Sequence, residues 1–374
     1  MASASVKDVS KYLAAQQTDA NKDVAAEWAK LEELYNKKLW HQLTLKIGTF
    51  VKHPTLQSGD KLIQLYNNFI QTFENKINPL SLVEILAHVV VQFTDRKEAI
   101  QFLQQTEPKV KISNEAVALC KVLSGQIMLN DLQDQDATKK VIDEVDKILD
   151  EEDGVTPVHG RYYDLASQLY RLQAKHADFY RAALRYLGCI ELDSLSTDEK
   201  HKHAVFLGLA ALLGDGVYNF GELLAHPVLQ VLDHTSEVWL KKLLFAFNEG
   251  NIAELERMRP QWEEIPDLKT HQNILREKIS LLCLMEMTFK RPSTDRQLTF
   301  EEIARETQLP TDQVEFLVMK ALSQGLVRGA IDQVAGTVLM TWINSMIQRL
   351  NTWCSDVKTM ESLLETKAHD FLTL

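Results

Sequence analysis

The sequence is poor in cysteine and in the residues that interrupt regular structure. Its 374 residues include 14 glycines and 9 prolines, while leucine, alanine, glutamate, lysine and glutamine dominate. This composition favours a mainly helical protein. The four cysteines, Cys120, Cys189, Cys283 and Cys354, lie far apart without a Cys-x-x-Cys pair. Their spacing predicts reduced thiols in apolar surroundings, not disulfides or a zinc site.

Long apolar runs and an apolar leader are also missing. The longest apolar stretches are interrupted by Glu84 and Glu286, so no run of about 18 uncharged apolar residues is left to span a membrane. Lys7 and Asp8 precede any apolar run, which is not the basic-then-apolar order of a signal peptide. We therefore expect an intracellular protein that does not cross a membrane.

Positive charge is scarce as well. Aspartate and glutamate outnumber lysine and arginine by 52 to 41, which gives a formal net charge of −11 and a pI near 5.5. Nucleic acids and anionic membranes attract basic surfaces. Neither is expected to be the main partner of this chain.

Patterns of catalytic and cofactor-binding residues are absent. His201-Lys202-His203 is the sole His-x-His, but Ala211 and Gly214 occupy the positions where the deubiquitinating metalloproteases have Ser and Asp. A catalytic zinc needs three converging protein ligands, so a surface histidine pair is favoured over a zinc enzyme. Gly214, Gly216 and Gly221 have neither a dinucleotide-binding nor a P-loop spacing. We predict a non-catalytic protein without metal or cofactor.

What the chain does contain is a succession of amphipathic helices. Between residues 24 and 190 apolar positions recur at helical spacing, in hairpins of loosely ~35 to 45 residues typical of an α-solenoid. The first ~20 residues are small and polar, which predicts a loose start. The prediction is an N-terminal helical-repeat region over 1–158, similar to tetratricopeptide repeats, and a second helical region over 159–290.

A different pattern follows over 291–342. Thr299 with Glu302 three residues later forms a capping box, which starts a helix at Phe300. After Pro310, Thr311 is expected to cap a second helix, whose buried face comprises Val314, Leu317, Val318, Ala321 and Leu322.

Gly325 has the position of a helix C-terminal residue. Beyond it, apolar and polar residues alternate on either side of a turn that contains Gly336, which predicts a β-hairpin. Two helices and a two-stranded wing together predict a small winged helix.

The charge of this winged helix argues against nucleic acid. Its five basic residues, Arg291, Arg296, Arg305, Lys320 and Arg328, face seven acidic ones, Asp295, Glu301, Glu302, Glu306, Asp312, Glu315 and Asp332. A DNA-binding module needs a basic surface to meet phosphates. A role in protein binding is favoured, with nucleic-acid binding as the weaker alternative.

The final segment, 343–374, predicts one long helix. Its apolar residues step by three or four, which is typical of a helix that packs in a bundle with partners. The predicted interface residues on this helix are Ile347, Leu350, Trp353, Val357, Leu364 and Phe371. On the wing they are Val327, Ile331, Val338, Met340 and Trp342, and the strand over 337–342 or its partner is expected to meet another subunit through a free edge.

Several stretches of the chain carry a specific resemblance. They are Leu39-Trp40-His41-Gln42-Leu43-Thr44-Leu45, Asn78-Pro79-Leu80-Ser81-Leu82-Val83-Glu84, Asn219-Phe220-Gly221-Glu222-Leu223-Leu224, His226-Pro227-Val228-Leu229, Leu281-Leu282-Cys283-Leu284-Met285-Glu286-Met287-Thr288-Phe289 and Arg296-Gln297-Leu298-Thr299-Phe300-Glu301-Glu302-Ile303-Ala304. Through them, and over essentially its whole length, the chain resembles the PCI-domain subunits of the 26S proteasome regulatory-particle lid.

The resemblance implies a PCI domain over 159–342 and a non-catalytic scaffold in a hetero-oligomer. In this family the winged helices associate side by side, and the C-terminal helices enter a shared bundle. It implies other PCI-domain lid subunits as partners, with the lid deubiquitinase module and the ATPase ring as further candidates, and a cytoplasmic and nuclear location. A PCI subunit of the COP9 signalosome or of the translation initiation scaffold is the alternative.

Overall fold

The computed structural model describes residues 9–19, 22–57, 59–152, 154–292, 295–340, 353–354 and 357–360. The chain divides into two compact units, Met1–Ser194 and Leu195–Leu374. Both are dominated by helices, as the composition predicted. No helix in these ranges is long and apolar enough to cross a membrane.

The first unit is an array of helices. In chain order they are α1 (Val9–Asp19), α2 (Lys22–Asn36), α3 (Trp40–Phe50), α4 (Lys61–Asn68), α5 (Pro79–Val90), α6 (Arg96–Thr106), α7 (Asn114–Asn130), α8 (Gln135–Asp150), α9 (Pro157–Leu172) and α10 (His176–Cys189). Short 3-10 turns lie at Pro54–Leu56, Ile70–Thr72, Glu74–Lys76, Glu107–Lys109 and Leu192–Ser194.

Side-chain caps define where several of these helices begin. Asn78, Asp95, Ser113 and Asp134 each accept a hydrogen bond from a backbone amide in the first turn of the following helix. Such caps satisfy amide groups that have no partner inside the helix. The helices then stack in sequence, with α3, α5, α7 and α9 packed side by side in that order. This is the layered arrangement expected of a solenoid.

One apolar core runs through the first unit, from Val9 to Ala182. Its N-terminal end differs from the loose start that the sequence predicted, because α1 packs on α2. Leu13 is buried, and the ring of Tyr12 meets Trp28 edge to face at 6.0 Å between centroids. Apolar side chains spaced along a mainly polar segment are enough to dock this short helix.

The second unit begins with seven helices. They are α11 (Thr197–Leu213), α12 (Gly221–Ala225), α13 (Val238–Asn248), α14 (Ile252–Arg257), α15 (Arg259–Trp262), α16 (Pro266–Thr270) and α17 (Gln272–Lys290), with a 3-10 segment at Pro227–His234. Gly250, at φ +65°, turns the chain between α13 and α14 where an added Cβ would lie 2.4 Å from Cα of Cys283. Only glycine fits both the left-handed backbone and this close approach to α17.

The last elements form the winged helix: β1 (Gln297–Thr299), α18 (Phe300–Thr307), α19 (Thr311–Ser323), β2 (Gly329–Asp332) and β3 (Thr337–Met340). The three strands form an antiparallel sheet in the order β1-β3-β2. Leu298, Ile303, Val318 and Val338 share a core with Leu281 and Leu284 of α17, so this module is docked on the preceding helix.

The compact units and the predicted domains divide the chain at different points. The division predicted after residue 158 falls inside the first unit, because α9 packs on both α7 and α8 and pairs with α10. The predicted helical solenoid and winged helix are both present, and the sheet of the winged helix has three strands.

Candidate protein-interaction surfaces

The start of the winged helix has the predicted capping box. Thr299 Oγ1 accepts from the amide of Glu302 at 3.2 Å, and the amide of Thr299 donates to Glu302 Oε2 at 3.1 Å. Arg291 Nη2 lies 3.0 Å from the same carboxylate oxygen. The hydrogen bond from the Thr299 backbone, together with Arg291, lowers the pKa of Glu302 below its ordinary value.

The second helix of the module begins without the predicted side-chain cap. Thr311 is its first helical residue, Pro310 occupies the cap position, and no side chain accepts a hydrogen bond there. Pro310 has its φ fixed before the helix, and its carbonyl accepts a hydrogen bond from the amide of Gln313 at 2.9 Å, so the backbone satisfies one amide of the first turn without a side-chain cap. The predicted inner face is confirmed, with Val314, Leu317, Val318 and Ala321 buried and Leu322 half-buried. Gly325, at φ +69°, follows the helix as predicted.

The sheet has one strand more than the predicted hairpin. Gln297–Thr299 pairs with β3, with Leu298 opposite Val338, while β2 pairs with the other side of β3 and places Ile331 opposite Val338. Of the two hairpin strands that were expected to offer a free edge, β3 is therefore central and paired on both sides, while its hairpin partner β2 is at an edge. Among the described strands, β2 and β1 form the edges of the sheet.

Three of the predicted wing interface residues face inward. Val327, Val338 and Met340 are at most 1% exposed, and Ile331 is half-buried against the same core. The alternating pattern was read correctly as a strand, but its apolar side packs on α18, α19 and α17. These side chains hold the module together, so a surface for partners has to use other residues.

The predicted tail residues lie partly outside the described ranges. Trp353 and Val357 are described, in short helical stretches, and are 65% and 49% exposed. Trp342, Ile347, Leu350, Leu364 and Phe371 fall outside the described residues. Met360 is also exposed, at 66%.

The outer surface of the winged helix carries its own apolar side chains. Phe316 and Met319 lie one turn apart on the solvent side of α19 and are 71% and 51% exposed. Leu339, 53% exposed, lies on the outer face of the sheet between Gln297 and Ala330. Periodicity missed these residues because they occupy the positions where polar residues are expected. An apolar residue at such a position was the available signal.

A cleft of about 420 Å³ adjoins Phe316. It runs between α17 and α19, and its lining includes Asn273, Ser280, Leu309 and Gln313. Lys320 on α19 forms an ion pair with Glu277 on α17 at the same cleft. The aromatic ring and the cleft together give α19 an outer surface suited to an apolar side chain of another protein.

The basic residues of the winged helix are largely neutralised. Arg291 pairs with Asp295 and Glu302, Arg305 pairs with Glu306, and Lys320 pairs with Glu277. A second, more polar cleft of about 600 Å³ between α14, α17 and α18 contains the Arg291 and Arg305 pairs and the Lys290–Glu286 pair. Of the five basic residues, only Arg296 and Arg328 have no ion pair among the described residues, which disfavours nucleic acid as the ligand of α19.

The histidine pair does not converge. His201 and His203 are both within α11, where residues two apart point to different sides of the helix. His201 Nε2 lies 3.3 Å from Glu237 Oε2. In the part of the chain that the structure describes, no group of three potential ligands could hold a metal ion.

One buried cation connects the helices beneath the winged helix. Lys278 on α17 is 5% exposed, and its Nζ donates to the carbonyls of Ala211, Leu212 and Gly214 at 2.6, 3.2 and 2.8 Å. Burial lowers its pKa to about 7. The ring of Tyr218 lies beside the ammonium, with 5.7 Å between Lys278 Nζ and the ring centroid. The hydroxyl of Tyr218 donates to Gln324 Oε1, at the end of α19, at 2.9 Å. Lys278 therefore closes the C-terminus of α11 and supports the docking of the winged helix.

A helical-repeat unit followed by a helical segment and a weakly acidic winged helix defines a PCI-domain protein. The family model "PCI domain" matches residues 253–342, and the model "PSD13 N-terminal repeats" matches residues 27–244. The second match covers more than half of the chain and extends across α2 to α13.

Relatives with the same organisation match almost the whole chain. "26S proteasome non-ATPase regulatory subunit 13 homolog B" of Arabidopsis thaliana is 36% identical over 97% of this chain and 98% of its own length. "26S proteasome non-ATPase regulatory subunit 13" of Dictyostelium discoideum is 35% identical, covering 94% and 95%. "26S proteasome regulatory subunit RPN9" of Saccharomyces cerevisiae is 30% identical, covering 96% and 97%. The chain belongs to the family of 26S proteasome non-ATPase regulatory subunit 13.

Proposed function

We propose that the chain is a non-catalytic structural subunit of the 26S proteasome regulatory-particle lid, where it supports lid assembly and ubiquitin-dependent protein degradation. The observation that carries the proposal is the full-length match to proteasome regulatory subunits, which covers both the repeats and the winged helix. The unpaired apolar side chains on the outside of the winged helix fit a subunit that binds other proteins.

The proposed contacts are made by apolar side chains that are exposed to solvent in this chain. On α19 and the sheet we assign Phe316, Met319 and Leu339 to a contact with a neighbouring PCI subunit, and β2 is the strand with a free edge. On the tail we assign Trp353 and Val357, together with the predicted Trp342, Ile347, Leu350, Leu364 and Phe371, to a shared helical bundle. Contacts with the lid deubiquitinase module and the ATPase ring, and a location in both cytoplasm and nucleus, belong to the same proposal.

Affinity purification of the tagged full-length chain, followed by mass spectrometry, tests the assignment. Lid subunits are expected to dominate the co-purified proteins. If subunits of the COP9 signalosome or of the translation initiation scaffold are recovered instead, the chain is a scaffold subunit of that complex and not of the lid. Salt-dependent binding of duplex DNA or RNA by the purified chain would favour the nucleic-acid alternative.

The tail is tested by deleting residues 343–374. The shortened chain is expected to fold, because both described cores lie before this segment, and to be lost from the purified lid. A matched variant replaces Trp353 and Val357 with serine in the full-length chain. Full incorporation of the deletion variant would refute the role of the tail.

A further inference from the structure

The first unit contains a stretch from which acidic residues are missing. Between Glu33 and Asp60 there is no aspartate or glutamate, while Lys37, Lys38, Lys46 and Lys52 are present, along with two histidines. In a chain whose net charge is −11, this is a local reversal of sign. The stretch comprises the end of α2, all of α3 and the following turn.

Two of the four lysines are neutralised and two are not. Lys37 pairs with Glu33 at 2.6 Å, and Lys46 pairs with Glu27 of α2. Lys38 and Lys52 are exposed, and neither forms an ion pair with any residue that the structure describes. They flank the two ends of α3, a helix of 11 residues that is about 16 Å long.

The exposed side of α3 between these lysines is uncharged and partly apolar. We define the α3 face as the exposed residues Lys38, His41, Gln42, Leu45, Thr49 and Lys52. Leu45 lies at its centre and is 60% exposed. The inner side of the same helix is fully used, because Leu43, Ile47 and Phe50 are buried in the core. The α3 face is therefore not needed to hold the unit together.

Residues of neighbouring helices lie near the end of the α3 face that carries Lys52. Burial, and after it the charges of Lys52 and Arg161, lower the pKa of His88 on α5, so both of these cations lie within electrostatic reach of the His88 ring. Val91, just after α5, is 69% exposed. The one carboxylate of α5, Glu84, is exposed one turn before His88 and reduces this charge in part. Lys52 and Arg161 leave a positive charge at this end of the α3 face that Glu84 offsets only in part, and an acidic ligand would complement it.

We propose that the α3 face is a docking site for an acidic segment of a partner protein, with carboxylates at Lys38 and Lys52 and an apolar side chain on Leu45. Charge complementarity selects this occupant, since the surface has a cation at each end and no acidic residue between them. The α3 face belongs to the first unit and shares no residue with the contacts assigned on the winged helix and the tail, and the proposal does not depend on which assembly contains the chain.

The test is zero-length crosslinking with a carbodiimide, which joins an ammonium to a carboxylate only when the two are in contact. The full-length chain is purified with its partners from cells, treated and analysed by mass spectrometry. We expect crosslinks from Lys38 or Lys52 to aspartate or glutamate in one acidic segment of another protein. The Lys38→Glu/Lys52→Glu variant is expected to lose that protein at least about tenfold, because like charges then oppose each other.

Two further variants make the result specific. Lys38→Arg/Lys52→Arg keeps the charge and is expected to retain the partner while losing the crosslinks. Lys139→Glu/Lys140→Glu changes the charge equally on exposed positions of α8 and is expected to leave the partner in place. Circular dichroism of each variant checks folding.

The proposal is overturned if Lys38→Glu/Lys52→Glu co-purifies with every wild-type partner in wild-type amounts. It is also overturned if nuclease treatment abolishes the binding, since the ligand is then a nucleic acid. A chain that is recovered with the lid but shows no contact at the α3 face would remove this proposal and leave the proposed function intact.

Discussion

The winged helix and the first helical unit both expose apolar side chains on a helix, but in different electrostatic surroundings. On α19, Phe316 and Met319 are accompanied by Lys320, whose charge is cancelled by Glu277. On the α3 face, Leu45 is accompanied by two lysines without an ionic partner among the described residues. The net charge of the chain describes neither surface. The first is suited to an apolar contact, and the second to an acidic one.

The largest expected effect distinguishes the inner from the outer side of the winged-helix sheet. Val338→Asp places a carboxylate at a position that is fully buried, and a loss of about 4 kcal/mol in the free energy of unfolding is expected. Urea denaturation of the full-length chain measures it. Leu339→Asp, one residue away on the exposed side, is the control and is expected to change stability by less than about 0.5 kcal/mol. Equal losses in both variants would mean that the sheet has no distinct outer face.

Removing the buried cation beneath the winged helix has the next largest effect. Lys278→Met removes the ammonium that donates to the carbonyls of Ala211, Leu212 and Gly214 and leaves Gly214 with only the long bond from the amide of Val217 at 3.4 Å. A loss of about 3 kcal/mol in the free energy of unfolding is expected. Thermal and urea unfolding measure it, with Lys290→Met on the exposed end of α17 as the control.

The pH dependence gives a second measure of the same residue. The folded pKa of Lys278 is about 7, against an ordinary value of 10.5. Between these values the unfolded chain binds more protons than the folded one, so this residue makes stability rise from pH 7 toward pH 10.5. Lys278→Met is expected to lose that slope. The same slope in both proteins would show that Lys278 stays protonated when folded.

A smaller effect is expected at the capping box. Thr299→Ala removes the acceptor for the amide of Glu302 and is expected to cost about 1 kcal/mol. Because the folded pKa of Glu302 is lowered, its contribution to stability is present above pH 4.5 and is lost as the pH falls through the folded value. The free energy of unfolding of the wild type and of Thr299→Ala, measured from neutral to acid pH, tests both expectations. Thr311→Ala, at a helix start without a side-chain cap, is the matched control and should be nearly neutral.

The smallest effects on stability concern the two surfaces themselves. Phe316→Ser and Leu45→Ser are each expected to change the free energy of unfolding by less than about 0.5 kcal/mol, while weakening different contacts. Raising the salt concentration to about 1 M shortens the screening length to about 3 Å. It should release the partner of the α3 face and spare the contact at Phe316. Release of both, or of neither, would contradict the distinction between the surfaces.

Much of the fold could be predicted from local pattern. The capping box of Thr299 and Glu302, the inner face of α19 and the turn at Gly336 all depend on residues close in sequence, and the structure confirms each of them. The strand Gln297–Thr299 was missed because three residues carry no periodicity, and its pairing with β3 joins positions about forty residues apart. Without that strand, β3 could not be recognised as central.

The surfaces were harder to predict for a related reason. Alternation along β3 correctly identified one apolar side, but alternation alone does not say whether that side meets the chain's own helices or another protein. Val338 and Met340 meet the chain's own core. The α3 face was not predicted, because it is marked by a lack of acidic residues between Glu33 and Asp60. A search for periodic apolar positions does not detect such a lack. The relation of α3 to His88 and Arg161 depends on packing between helices.

The central position of β3 has a mechanical consequence. The described part of β3 ends at Met340, and both neighbouring strands run antiparallel to it. A pull directed along β3 is resisted in shear by hydrogen bonds on both of its sides at once. An edge strand in the same place would share the load with one neighbour. Because β3 is paired on both sides, the sheet resists such a load better than it would if β3 were an edge strand.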